Sequence, residues 1–269
     1  MVDGTHIDRL MSSAWPAAVA ERHGPWLFRF TDGVTRRANS VRVVGEPDDL
    51  DGAIAAAEAF YRSRGAQSVF LVSEASAPAS VVDALSGRGY RPSATTWMLH
   101  ATAAGVATAD EPDARREIDA TREVTERWLD VYRSVEADPR SAADRSIVRD
   151  VLLDPAAPAR FVTLAERRAV VAVGQVVIDE GWGCLQCLAT LPSSRRRGAG
   201  RRVVRRLALE AAAAGADALF AAVMADNDAS LGLMEGLGFE RLHRYRYYAV
   251  PGSSPTGGPT PSPPGARTP

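Results

Sequence analysis

"SSRRRGAGRRVVRRL", Ser193 to Leu207, decides how this chain is to be read. Seven arginines fall between Arg195 and Arg206, with Gly198 and Gly200 among them. Two readings compete: a basic patch for nucleic acid, or a loop that holds a phosphate. The composition weighs against the first. The 269 residues carry a formal net charge of −1, whereas a polyanion binder usually shows a broad basic excess. The sequence has no lysine, so apart from four histidines every basic side chain is arginine. Beside so much alanine, this usage reads as the codon bias of a GC-rich genome, which lowers the functional weight of arginine density.

The flanks favour the second reading. "GCLQCLATLP", Gly183 to Pro192, reads as a strand that ends where the loop begins. Arg201 to Ala214 reads as a helix, with Val203, Val204, Leu207, Ala211 and Ala214 on one apolar face. Gly215 is placed to cap its C-terminus. A strand, a glycine-bearing loop and a helix N-terminus make an anion site, because the helix dipole and the free N–H groups favour negative charge. Glycine lets the backbone approach a phosphate without a Cβ in the way. Successive N–H donors form a nest, and Arg195, Arg196 and Arg197 can add charge-assisted bonds. The loop is neither a Walker A motif nor G-x-G-x-x-G. Its spacing is R-x-x-G-x-G, over Arg195, Gly198 and Gly200. Alone, that pattern is equally compatible with an arginine-rich helix start.

Downstream, "ALFAAV" (Ala218 to Val223) is a buried strand, and Asp226 and Asn227 offer N-caps for a helix ending near Leu237. Gly238-Phe239 turns the chain into a last strand, "LHRYRYYAV". The first part of the chain repeats this order. Asp51 to Arg64 reads as a helix capped by Gly65, "SVFLV" (Ser68 to Val72) as a strand and Val81 to Gly87 as a helix. Gly89-Tyr90 is then a turn and "ATTWMLH" (Ala94 to His100) a strand. The expected organisation is a first half over 1–105, a linker over 106–116, a second half over 117–250 and a tail over 251–269. The tail, "PGSSPTGGPTPSPPGARTP", has seven prolines and four glycines in nineteen residues, a composition with almost nothing to bury. The expected fold class is α/β with a mixed sheet, built from two units of one kind.

"LATLPSSRRRGAG" and "NDASLGLMEGLGF" (Asn227 to Phe239) together resemble the GCN5-related N-acetyltransferase (GNAT) superfamily. Its signature is a strand, [QR]-x-x-G-x-[GA] opening a helix, a strand, and a segment like N-x-x-A-x-x-L-Y-x-x-x-G-F. Arg195, Gly198 and Gly200 match the first element. Asn227, Leu233, Gly238 and Phe239 match the second, with Ser230 in place of the usual alanine. The likeness covers Phe161 to Val250. "WLFRFTDGVTRRANSV", Trp26 to Val41, is similar to the start of a bacterial subgroup in which a diverged GNAT-like half precedes the catalytic one.

The resemblance implies a GNAT fold of tandem GNAT-like halves, with acyl-CoA bound by the second alone. The backbone of Leu188, Ala189 and Thr190 would pair with the pantetheine arm. N–H groups of Arg196, Arg197, Gly198, Ala199, Gly200 and Arg201 would hold the pyrophosphate, and Asn227 would sit near the cofactor's far end. At the equivalent place the first half reads "VVGEPDDLDGA", Val43 to Ala53. There Glu46, Asp48 and Asp49 would repel a diphosphate, and Pro47 lacks a donor N–H.

Acyl transfer to an amine needs a proton acceptor and N–H groups that polarise the thioester carbonyl. In this family the leaving thiolate often takes a proton from a tyrosine, but that position is Met234 here. Either the thiolate leaves unprotonated or takes a proton from water, or Tyr245, Tyr247 or Tyr248 substitutes. Tyr245 and Tyr247 share one strand face, and all three are equally readable as ordinary strand aromatics. No catalytic residue is assigned. Asp179 and Glu180 fit a hairpin, Asp226 and Asp228 fit helix caps, and Glu235 fits an exposed helix position. Trp128 and Tyr132, four apart on a helix face, line an acceptor pocket or belong to the core. Arg36, Arg37, Asn39 and Ser40 form a dense polar group for which a structural role is favoured over an acceptor site. Cys184 and Cys187 read as unrelated thiols, and His6, His23, His100 and His243 form no zinc pattern with them, so no metal is expected. No apolar run reaches the ~18 residues of a membrane span, and no signal-peptide pattern opens the chain. A cytoplasmic protein without a membrane partner is expected. The expected function is acetyl-CoA-dependent N-acetylation of an amine on a small metabolite, amino acid, antibiotic or protein. A catalytically silent acyl-CoA sensor is the alternative, and a nucleic-acid binder using Arg195 to Arg206 ranks below both.

Overall fold

The computed structural model describes residues 2–107, 116–135 and 155–251. The tail beyond Pro251, most of the expected linker and residues 136–154 lie outside the described residues. The chain divides into two compact units, Met1–Pro16 with Ser73–Ser76 and Ala94–Tyr245, and Ala17–Val72 with Ala77–Ser93 and Arg246–Pro269.

The first unit opens with α1, Gly4–Ala14, whose N-cap Asp3 accepts from the Thr5 N–H. Ile7, Leu10, Met11 and Ala14 recur at helical spacing and are buried. Its strands are β5 (Arg91–Thr102), β6 (Arg116–Thr121), β7 (Ala159–Glu166), β8 (Ala169–Asp179), β9 (Trp182–Thr190), β10 (Ala218–Met224) and β11 (Glu240–Ala249), and its further helices are α4 (Ala103–Val106), α5 (Glu126–Val135), α6 (Ala199–Ala213) and α7 (Asp228–Glu235). The order across the sheet is β11-β5-β10-β9-β8-β7-β6. From β6 to β9 neighbours run antiparallel, whereas β9 and β10 run parallel. A parallel pair requires a crossover, and α6 provides it. Val203, Val204, Leu207, Ala208 and Ala211 of α6 pack on Val162, Leu164, Leu185, Leu219 and Ala221 of the sheet in the main core.

α1 is fixed to the last strand. His243 Nε2 donates to Asp8 Oδ1 at 2.8 Å, and Ser76 Oγ donates to Asp8 Oδ2 at 3.2 Å. Asp8 is 1% exposed and His243 8%, so their pairing satisfies groups that would be costly to bury alone. At the other end of α1, the Ala14 carbonyl accepts from Gln186 Nε2 at 2.9 Å.

The second unit contains β1 (Val19–His23), β2 (Trp26–Phe30), β3 (Val41–Arg42), α2 (Leu50–Arg62), β4 (Phe70–Ser73) and α3 (Ala79–Gly87), with strand order β1-β2-β3-β4. Its core is aromatic. Trp26, Phe28, Phe60, Tyr61, Phe70 and Tyr90 pack with Ile54 and Leu85. Asn39 closes the loop after β2, because its Oδ1 accepts from the Thr31 and Gly33 N–H groups and its Nδ2 donates to the carbonyls of Thr31, Val34 and Thr35. Arg36 lies over the Tyr247 ring, 5.4 Å from its centre, and Ser40 donates to the Arg37 carbonyl. The polar group of residues 36–40 thus braces a turn.

The compact units differ from the division at residue 105. Ala94 to Thr102, expected to close the first half, runs antiparallel to β10 from Thr96↔Met224 to Thr102↔Ala218 and belongs to the first unit. Likeness between halves is written in local order, whereas strand pairing is decided by edges. α1 has no counterpart among the expected elements.

Burial in the second unit has a titratable consequence. It pushes the Tyr90 hydroxyl up to about 12 and the Tyr61 hydroxyl up as well, while burial lowers Arg29 to about 10. Between pH 10 and 12 the unfolded chain releases the Tyr90 proton and the folded protein keeps it. Stability from this group is therefore complete below pH 10 and is lost as pH rises, at up to about 1.4 kcal/mol per pH unit. Arg29 acts in the opposite sense over the same window, because its proton leaves the folded protein first. Tyr90→Phe should flatten the alkaline fall of the unfolding free energy, measured by urea titration from pH 9 to 12. An unchanged slope would refute the assignment.

Candidate functional site

The site is built on a pairing that stops. β9 and β10 pair from Trp182↔Ala218 to Leu185↔Ala221 and no further. Both strands go on. β10 continues to Met224 against β5, and β9 continues to Thr190 against β8, with Ala189↔Val173 and Thr190↔Ala172. Between Gln186–Thr190 and Ala222–Met224 the sheet is open.

A bulge in β9 drives the separation. The register against β8 jumps from Gln186↔Gln175 to Ala189↔Val173, so that Cys187 and Leu188 face Gly174 alone. Cys187 takes the extra residue in a left-handed conformation, φ +54. Gly174, opposite the bulge, makes room for Leu188 and α6, since a Cβ there would come within 2.7 Å of Leu188 and 2.9 Å of Leu207 and Val203. The Gly174 carbonyl accepts from the Trp128 indole at 3.0 Å. Trp128 is 0% exposed and meets Phe161 edge-on at 5.5 Å, which places it in the core. Tyr132, 5.3 Å from it ring to ring, is half-buried.

The bulge also redirects the cysteines. Residues three apart on a regular strand face opposite sides, but the Cys184 and Cys187 sulfurs each lie 3.9 Å from a glutamine carbonyl, Gln186 and Gln175 respectively. Both are free thiols. Gln186 Nε2 donates both to the Ala14 carbonyl and to Gln175 Oε1, at 2.9 Å each. The first acceptor fixes the Gln186 amide, which in turn fixes Gln175.

After β9 the chain makes a single 3-10 turn, Pro192–Ser194, and enters the arginine loop. Arg196 (φ +59) and Gly198 (φ +80) are left-handed, and Gly198 is the N-cap of α6, with no side chain capping the helix. Among the described residues no group accepts from the main-chain N–H of Arg197, Gly198, Ala199 or Gly200. No acidic residue occupies the first turn. Gly200 lets α6 approach α7, as a Cβ would lie 3.2 Å from Leu233. Leu188, Ala189 and Thr190 form the end of β9 that faces the opening. The arginines do not make one stripe. Arg195 donates to the Thr190 carbonyl, Arg201 to the Gly236 carbonyl and Arg206 to Glu210, while Arg197 lies 3.9 Å from Glu166.

At the far side of the opening, Asn227 caps α7 by accepting from the Ser230 N–H at 3.1 Å. That leaves Asp226 exposed, and among the described residues no side chain pairs with it. Met234 is 1% exposed within the core, and Tyr245, Tyr247 and Tyr248 are buried. Asp179 ends β8 at a hairpin whose Glu180 pairs with Arg9 of α1. Among the described residues no three metal-ligating side chains come together, and no helix is long and apolar enough to cross a membrane.

Solved structures share the overall fold. A GCN5-related N-acetyltransferase from Kribbella flavida superposes with a TM-score of 0.71 at 16% identity, over 94% of this chain and 97% of its own. A tandem GNAT protein from the clavulanic acid biosynthesis pathway superposes with a TM-score of 0.66 at 12% identity, over 90% and 86%. At these identities the likeness shows the fold, which is that of GNAT proteins. More closely, the family described as "Probable histone acetyltransferase Rv0428c C-terminal" matches residues 5–248, and the chain belongs to it. The "Uncharacterized N-acetyltransferase YobR" of Bacillus subtilis (strain 168) is 28% identical over 248 residues, 92% of this chain and 98% of the relative.

The cap of α7 is a direct test of the site's local chemistry. Asn227→Ala should cost about 1 kcal/mol of folding stability, while Asp226→Ala should stay within about 0.5 kcal/mol. Chemical denaturation midpoints of the two variants would reverse this order if Asp226 were the cap.

Proposed function

We propose that this chain transfers an acetyl group from acetyl-CoA to an amine, at the opening between β9 and β10. The observation that carries the reading is the run of unengaged N–H groups at the start of α6, beside two strands whose facing edges are free. The diphosphate would lie on the N–H groups of Arg196 to Arg201, where Gly198 presents no Cβ and the helix dipole favours the charge. The pantetheine amides would add a ladder to Leu188–Thr190, replacing the pairing β10 gives up, and Asn227 flanks the far end. Among the described residues the second unit offers no such helix start. At the start of α2, Asp49 is the N-cap and accepts from the Gly52 N–H at 2.9 Å, so the helix supplies its own anion. Nearby, Ser80 donates to Glu46.

In the reaction the amine nitrogen attacks the thioester carbonyl carbon. A C–N bond forms, the C–S bond breaks, and CoA leaves as a thiolate. Backbone N–H groups lining the opening would polarise the carbonyl as its oxygen gains charge. Met234 brings no proton to the thiolate, which leaves as the anion and is protonated by solvent. The amine proton passes to water at the exposed rim.

Calorimetric titration of acetyl-CoA tests the reading. The wild type should bind in the micromolar range, about −8 kcal/mol, and Gly198→Glu, which sets a carboxylate where the diphosphate would lie, should abolish binding. Arg195→Ala should weaken binding far less, because the backbone does most of the holding. Absence of binding to the wild type would overturn the proposal.

A further inference from the structure

The two faces of the first unit's sheet are not equivalent beside the opening. Val223, Ala221 and Leu219 of β10 point to the core under α6. Strand side chains alternate, so Met224 points to the opposite face, away from the helix whose N-terminus would take the diphosphate. On that side, at the C-terminal end of β10, lies an open depression of about 370 Å³. It is lined by Ala94, Thr95, Met224, Ala225 and Asp226. Met224 is 47% exposed, a large apolar side chain that the core does not use. Among the described residues Asp226 is the one charged group of the lining, and the cap made by Asn227 leaves its carboxylate uncommitted.

Position along the strand connects this depression to the chemistry. Continuing the β9–β10 register beyond Leu185↔Ala221, with Cys187 and Leu188 sharing one level at the bulge, sets Met224 level with Ala189 across the gap. An amine must reach the thioester carbon from the side the donor does not occupy, which is the face Met224 shares. Asp226 follows in the turn after β10, which the Asn227 N–H closes on the Met224 carbonyl at 3.0 Å.

The geometry points to this depression as the acceptor subsite, and to an acceptor that is an aliphatic diamine. One nitrogen is acetylated at the opening, the stem lies on Met224, Ala225 and Ala94, and the second, ammonium nitrogen pairs with Asp226. This inference rests on the acetyltransferase reading above and adds the class of acceptor to it.

The test is a binding measurement that needs no turnover. Protein saturated with CoA is titrated calorimetrically with 1,5-diaminopentane and, separately, with 6-aminohexanoate, which has the same stem but ends in a carboxylate. The wild type should prefer the diamine by about tenfold, combining attraction for one ligand with repulsion of the other. Asp226→Asn should remove the preference and Asp226→Lys should invert it, with the affinity for acetyl-CoA within about twofold of wild type in both, well under 1 kcal/mol. Absence of a preference in the wild type, or a preference that survives Asp226→Lys, would overturn the subsite. Loss of acetyl-CoA binding in the wild type would instead strike the functional reading itself.

Discussion

Strands β9 and β10 hold together for four residue pairs and then separate, and the rest of the first unit is arranged around that separation. Two strands that part leave backbone donors and acceptors facing each other across a gap. Such groups are expensive to leave dry. The protein keeps the gap by spending structure on both flanks. β8 holds the far edge of β9 through a bulge, and β5 holds the far edge of β10 over its whole length. The gap is therefore rigid and hydrogen-bond hungry, which suits an extended ligand with amides of its own.

The two units show how little separates a helix start that invites an anion from one that refuses it. α6 begins at a left-handed glycine with no acceptor of its own. α2 begins at Asp49, whose carboxylate already bonds the first-turn N–H of Gly52. A Cβ at residue 52 would meet that carboxylate at 2.1 Å, so the glycine there serves the cap and no ligand. The same dipole is answered from inside in one unit and left open in the other.

Much of this was legible because the residues concerned act locally. Gly198 and Gly200, the apolar face of Val203, Val204 and Leu207, and the Asn227–Phe239 segment each declare their element from neighbours in sequence. The parts that were not legible depend on distant partners. The left-handed Cys187 has no signal of its own, since nothing in "CLQCLAT" marks a bulge; Gly174, on the neighbouring strand, is its trace. That β5 would leave its own half to pair with β10 is a matter of edges, which local order does not record. α1 was readable in principle, from Asp3 as cap and the spacing of Ile7, Leu10, Met11 and Ala14. Asp226 looked like a cap as much as Asn227 did, and only coordinates distinguish two adjacent side chains with equal capping chemistry.

The tie between α1 and the last strand carries a consequence for how the chain is made. Asp8 and His243 stand 235 residues apart in sequence. A ribosome adding about 5 to 20 residues per second leaves Asp8 waiting roughly 10 to 50 s for its partner. The contact of α1 with β9 through Gln186 can form earlier than the tie to His243. α1 and the strand that fixes it can thus join only after the intervening chain has been made. Contacts of such high sequence separation form slowly, so the tie between Asp8 and His243 closes late in folding.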